Sequence, residues 1–313
     1  MRIAVVGLGL IGGSLARALR DAGHEVSGFD TDPATRELAR AAGLTVPGSV
    51  AATVAGTEVT VLAAPLPVLP GLVAELAGYD GVLTDVTSVK GPVQALAERH
   101  GVRRFVGGHP MAGTEASGFA AADPKLFEGC VWVLCVEPDG TDPADWLILA
   151  GLFTGLGARV LPITAVEHDN AVAAVSHVPH LLAAALATTL AGSPLRQALA
   201  AGSFRDGTRV AATRAELINA MCAGNATEVL RELQQVISDL VQLRDDLAGG
   251  DLIPFLAAAG ELRRAWPPTP GSPGRTTADV RALLALGRGG GWVTAVVGTE
   301  LNTMRPETGR NGF

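Results

Sequence analysis

Charge is scarce in this chain. Charged residues fill 18% of its 313 positions, against roughly 25% in an average soluble protein. With 48% hydrophobic residues there is ample material for a large core, which excludes disorder throughout, and at roughly 150 residues per domain the length predicts about two domains. Lysine is nearly missing: Lys90 and Lys125 are the two lysines among 24 basic residues, and the other 22 are arginines. Anions are therefore met mostly by guanidinium forks. The 31 acidic residues bring the net charge to −7, which argues against nucleic acid as a partner. Cysteine is equally sparse. Cys130 and Cys135, five apart in CVWVLC, point to opposite faces of a strand, and Cys222 is distant. No disulfide framework follows, and a reduced, cytoplasmic setting is expected.

Two stretches lack charge locally. The start, MRIAVVGLGLIGGSLARA, has the layout of a signal peptide, but its glycine spacing has another explanation. The run from Ala171 to Leu195 contains no Asp, Glu, Lys or Arg and is long enough for a bilayer of about 30 Å. It also holds His177, Pro179, His180 and Pro194. Ionisable groups are costly in a spanning helix, so the run is expected to be a buried helix, with no membrane as partner.

What is present first is alternation. Apolar β-branched runs at Ile3 to Val6, Glu25 to Phe29, Val59 to Ala63, Val82 to Val86, Val131 to Val136 and Arg159 to Pro162 alternate with helical patterns, the signature of βαβ units. Between Asp32 and Gly43 an N-cap Asp, Pro33 at the first helical position and a closing Gly predict a helix. The predicted architecture is α/β, a Rossmann-like doubly wound parallel sheet over residues 1–163. Residues 164–266 change texture. Thr164-x-x-Glu167 is a capping box, a device repeated at Thr213-x-x-Glu216 and Asn225-x-x-Glu228. Apolar positions from Val229 to Leu243 recur at helical spacing, and Gly249-Gly250 closes that helix. An all-α domain with so few charges needs a surface to pack against, so a homodimer is expected. Residues 267–313 begin with PPTPGSPGR, a linker or loop by composition, and the remainder is unassigned.

Chemistry concentrates in four places. Gly7-Leu-Gly9-Leu10-Ile11-Gly12 follows the first strand and opens a helix, as a dinucleotide fingerprint requires. Asp30, at the end of the second strand, is placed to bind a ribose 2′-hydroxyl and to repel a 2′-phosphate, which points to NAD as cofactor. Thr84-Asp-Val-Thr-Ser88-Val-Lys90 and Gly107-Gly-His109-Pro-Met-Ala-Gly-Thr114-Glu115 follow at strand ends, where ligands of open α/β sheets sit. His109, flanked by glycines and a proline, is expected on a loop, and an ordinary imidazole suits a general base. Ser176 and His180 share a helix face. His177 and His180 have no Cys, Asp or Glu at ligand spacing, so no metal is expected. Asp206 and Arg209 are either an ion pair on a solvated face or an Arg oriented by an Asp towards a carboxylate.

In order, GLGLIGGS, TDVTSVK, GGHPMAGTEASG, EHD, SHVPH and FRDGTRVA resemble the prephenate and arogenate dehydrogenase family of tyrosine biosynthesis, over roughly residues 1 to 250. The resemblance implies an all-α dimerisation domain after the Rossmann-like one, and NAD-dependent oxidative decarboxylation of a cyclohexadienol. By that resemblance His109 is the base at the 4-hydroxyl and Ser88 positions that hydroxyl. His180 and Arg209 contact substrate carboxylates, with Ser176, Thr114 and Glu115 lining the pocket and Asp206 behind Arg209. The substrate is prephenate, arogenate or an amino-substituted prephenate. A chorismate mutase segment and a regulatory ACT domain, found in some members, are not expected from this sequence. A non-catalytic NAD-binding sensor is the reading from another class, and Ser88, His109 and Arg209 argue against it.

Overall fold

The computed structural model describes residues 1–113 and 116–307. They form two compact units, one of residues 1–168 together with the chain from Pro270 onward, the other Asp169–Thr269.

The first unit holds two sheets. Strands β1 (Arg2–Val6), β2 (Glu25–Phe29), β3 (Val59–Leu62), β4 (Val82–Asp85) and β5 (Phe105–Val106) pair in the order β2-β1-β3-β4-β5, every pair parallel. Both faces of this sheet are covered, and the two-residue period of a strand divides β1 between two cores. Ile3 and Val5 join Leu15, Leu19 and Trp132 on one side, while Ala4 and Val6 join Leu69, Val73 and Val93 on the other. The helix after β2, Pro33–Ala41, starts as expected: the Asp32 carboxylate accepts the Ala34 and Thr35 amides at 3.2 and 3.0 Å.

The runs at Val131 and Arg159 do form strands, but not in that sheet. β6 (Gly108–Pro110), β7 (Val131–Cys135), β8 (Arg159–Ile163), β9 (Pro270–Thr277), β10 (Trp292–Val297) and β11 (Glu300–Pro306) make a mixed sheet ordered β6-β7-β8-β10-β11-β9. β7 and β8 are parallel and the other pairs antiparallel. The split falls at Gly107, between β5 and β6. Trp132, stacked on Phe153 with centroids 3.8 Å apart, lies in the core that also takes in Ile3 and Val5. The segment PPTPGSPGR, read as a linker, is largely β9. Pro270 and Pro273 lack an N–H, and they are tolerated because β9 is the edge strand and pairs with β11 alone.

The second unit is helical. The apolar run is interrupted where Pro179 falls: Ala173–His177 is a π-helical turn leading into the helix Val178–Ala187. Proline supplies no N–H and its ring crowds the carbonyl four residues back, so the preceding turn widens. The stretch Ala165–Leu190 is long and apolar enough to cross a membrane, by length and composition only, and 28% of its most apolar window is buried. The expectation of a buried helix is thus not met inside one chain, and Val175 is 72% exposed. Helices Pro194–Leu199, Gly202–Thr208, Ala215–Gly224, Ala226–Gly249 and Ile253–Arg264 follow. The 226–249 helix ends at Gly250 in the left-handed conformation, as its glycine pair predicts.

Of the three capping boxes, one forms. Thr164 and Glu167 exchange bonds, the Thr164 amide donating to Glu167 Oε2 at 2.9 Å and the Glu167 amide to Thr164 Oγ1 at 3.2 Å. The helix at Ala215 is preceded by Arg214 with no side-chain cap. The Asn225 side chain is used elsewhere, donating to the Asp169 carbonyl at 2.7 Å and lying 3.2 Å from His177 Nδ1. A buried carbonyl without a partner costs more than an uncapped helix end that water reaches, so the tertiary contact wins.

Candidate active site

The order β2-β1-β3 places the topological switch between β1 and β3, and ligands of open α/β sheets bind beyond the carboxyl ends of strands at that point. The glycine turn sits there. Gly7 has φ of 99°, and a Cβ on it would stand 2.4 Å from the Ala63 carbonyl oxygen; one on Gly12 would stand 1.9 Å from that of Gly7. Those two glycines are required by backbone packing. A Cβ on Gly9 would meet nothing within 4 Å, so this position opens onto space at the start of the helix Leu10–Asp21, whose N-terminus has no side-chain cap. Uncapped N–H groups at Leu10, Ile11 and Gly12 and an open approach at Gly9 fit a pyrophosphate.

Asp30 is set in advance. Its Oδ2 accepts the Leu8 amide at 2.8 Å and its Oδ1 the Asp32 amide at 2.9 Å. Each carboxylate oxygen keeps a lone pair for a vicinal diol. Arg36 donates to the backbone carbonyls of Asp30 and Thr31 at 2.7 and 3.0 Å, which fixes the same strand end.

His109 lies in β6, not on a loop, opposite Val133. Its Nδ1 is 2.8 Å from Nε2 of His168, a fully buried residue, with the rings edge to face at 5.1 Å. His168 belongs to the EHD motif, and sequence reasoning gave it no role. Ser88 is half-buried in the turn between β4 and the helix Gly91–Arg99. Around that turn lies a buried network also missed from the sequence, although its residues stand in TDVTSVK. Lys90 and Asp85, 1% and 0% exposed, form an ion pair. Asp85 Oδ2 also accepts the Thr87 amide at 3.0 Å and the Thr87 hydroxyl. Asp85 Oδ1 accepts the Gly108 amide at 3.2 Å, while Lys90 Nζ donates to the Gly108 carbonyl at 2.5 Å. The signal available in sequence was an Asp and a Lys five apart flanking Ser88.

Thr114 and Glu115 lie outside the described residues. The remaining expected site residues are in the helical unit. Ser176 and His180 are half-buried, but a π turn and Pro179 separate them, so the simple four-residue face does not apply. His180 Nδ1 is 3.2 Å from the Val210 carbonyl. Arg209 opens the 3-10 turn Arg209–Ala212. Asp206 is exposed and pairs with its neighbour Arg205 at 3.5 Å instead of holding Arg209, an ion pair in water that is worth little. No group of three His, Cys, Asp or Glu able to hold a metal occurs among the described residues.

Comparison with known proteins agrees with this geometry. Residues 15–162 match the family model of the prephenate dehydrogenase nucleotide-binding domain, and residues 164–258 that of the prephenate dehydrogenase dimerization domain. A prephenate dehydrogenase of Lactococcus lactis is 36% identical over 67% of this chain, which spans 61% of that protein's length. The crystal structure of Synechocystis arogenate dehydrogenase is similar at a TM-score of 0.74 and 32% identity, covering 85% of this chain and all of that one. That of Aquifex aeolicus prephenate dehydrogenase, in complex with hydroxyphenyl propionate and NAD+, is similar at 0.79 and 28%, covering 84% and 97%. With both models matched in order and the glycine turn, Asp30 and the His109–His168 pair in place, the chain belongs to the prephenate dehydrogenase family.

Proposed function

We propose that the protein catalyses the NAD-dependent oxidative decarboxylation of prephenate. The observation that carries the reading is His109, at the end of a two-glycine approach, with Nδ1 engaged by a buried second imidazole. A bound nicotinamide would supply the hydride acceptor. The glycine turn and Asp30 would hold its pyrophosphate and ribose. With Nδ1 turned to His168, Nε2 of His109 is the nitrogen that takes the proton of the 4-hydroxyl as hydride leaves C4. Loss of carbon dioxide from C1 then delivers an electron pair to the ring, the C4 oxygen becomes phenolic, and the proton returns to it. No net proton is consumed. Ser88 orients the hydroxyl. Arg209 and His180 recognise carboxylates, which a chain of net charge −7 meets only with local donors. Likeness to an arogenate dehydrogenase makes arogenate the second substrate to test. We also propose a homodimer through the helical unit, supported by the match of residues 164–258 to a dimerization domain.

The test is a two-by-two comparison of initial rates with prephenate or arogenate and NAD or NADP, following reduced nicotinamide. Preferential turnover of prephenate with NAD is expected. Preferential turnover of arogenate would keep the residue roles and change the substrate, and no reduction in any combination would overturn the reading.

A further inference from the structure

A buried ion pair calls for a reason. Desolvating a carboxylate and an ammonium costs several kcal/mol per ion, and such pairs often contribute nothing net to stability. The Asp85–Lys90 pair is almost wholly buried, and besides the Thr87 hydroxyl it bonds to backbone groups of two segments. Two segments are gripped. Asp85 and Lys90 bracket the turn that carries Ser88, and Thr87 is tied to the same carboxylate and to the Val89 carbonyl at 2.9 Å. The second segment is Gly108, whose N–H and carbonyl are both taken, one by each member of the pair. Gly108 is where the chain enters β6, and its neighbour is His109. A Cβ at Gly108 would sit 2.7 Å from the Asp85 carbonyl oxygen, so the approach that permits this grip needs glycine.

We infer that the Asp85–Lys90 pair is a positioning clamp that sets the mutual placement of Ser88 and His109, holding one turn at both ends and the other strand by the peptide before the base. The clamp rests on the proposed roles of those two residues. A hydroxyl and an imidazole that act on the same substrate atom have to be held to fractions of an ångström, and a displacement of about 1 Å costs on the order of 100-fold in rate. Two charges buried between two backbone segments supply that stiffness without touching substrate.

The experiment compares the full-length wild type with two double variants. Asp85→Asn with Lys90→Met removes both charges, leaves no orphan charge and takes away the donor to the Gly108 carbonyl. Asp85→Asn with Lys90→Gln restores a donor there. For the Met variant kcat should fall about 10- to 100-fold, with substrate KM and the NAD dissociation constant within about twofold of wild type, and the Gln variant should recover most of the loss. A wild-type kcat in the NAD-binding Met variant, or equal impairment of both variants, would overturn the clamp. Should the double variants not fold, Thr87→Val removes only the bridging hydroxyl: kcat about threefold lower is expected, and an unchanged kcat counts against the clamp. A wild-type protein inert on every substrate would overturn the functional reading instead. Hydrogen exchange over residues 105–111 then decides: about tenfold faster exchange in the Met variant than in wild type supports the clamp, and equal exchange refutes it.

Discussion

In the proposed reaction a proton taken by His109 leaves the ring charged, and the group at its other nitrogen decides how that charge is accommodated. For Nε2 to accept, the resting proton sits on Nδ1 and is donated to Nε2 of His168, 2.8 Å away, which is then unprotonated. In that proposal His168 selects the tautomer and orients the ring, as a carboxylate does in other catalytic pairs. His109→Asn keeps the size of the side chain and loses the base, so turnover should fall on the order of 10² to 10⁴ while NAD binding stays. The glycine turn and Asp30 make their own contacts and are unaffected. Near-normal kcat in this variant would take the proton transfer away from His109. Part of this was legible in advance. His109, Ser88 and Asp30 stand out in the sequence as candidates, because each lies in a motif at or just beyond an expected strand. His168, Asp85 and Lys90 were not, because a role exerted through another residue shows only when the partner is in place.

Among the elements, the start of the helix Ala165–Val172 joins parts of the first unit that are distant in sequence. Glu167 closes the box with Thr164 and also receives Arg288, from the helix Val280–Arg288 near the C-terminus. Partial burial pushes its carboxyl up, but the Thr164 amide, Arg288 and the Thr164 hydroxyl outweigh that, and the group is held below its usual range. A carboxyl depressed in the folded state contributes stability above its unfolded value, near 4.3. That contribution disappears as pH falls through the lower folded value. Glu167→Gln keeps an N-terminal box but not the charge. It should melt below wild type at pH 7, and the gap in Tm should close between about pH 5 and pH 3. A gap that stays constant across that range would mean the carboxylate carries no linked proton. The box at Asn225 failed for a reason no local pattern contains: its side chain is spent on Asp169 and His177, 56 and 48 residues away.

At the scale of the molecule, the helical unit leaves large apolar side chains exposed. On the Ala226–Gly249 helix Val229, Leu233 and Val236 pack with Ala173 and Val178. Leu230, Ile237 and Leu240 point elsewhere and are 67%, 46% and 53% exposed. An exposed apolar stripe of this length marks an interaction surface, and a second copy covers it in the proposed homodimer. Sedimentation should give twice the chain mass for the wild type. Leu230→Asp with Leu240→Asp should shift it towards a monomer and lower Tm. A wild-type monomer at micromolar concentration would remove the dimer.

The alternation of strands and helices over residues 1–163, the glycine turn with its acidic partner, the helix starts at Asp32 and Thr164 and the family were determined by sequence alone. These rest on short-range rules, the two-residue and 3.6-residue periods, the turn that only glycine makes, and the reach of a side chain over three or four positions. Tertiary structure decided the rest. It divided one expected sheet in two at Gly107, turned PPTPGSPGR into an edge strand paired with β11, left the apolar helices uncovered, and closed an ion pair around Gly108. Each of these depends on which distant segment offers a partner for a backbone amide or a buried charge, and that partner exists only once the chain has folded.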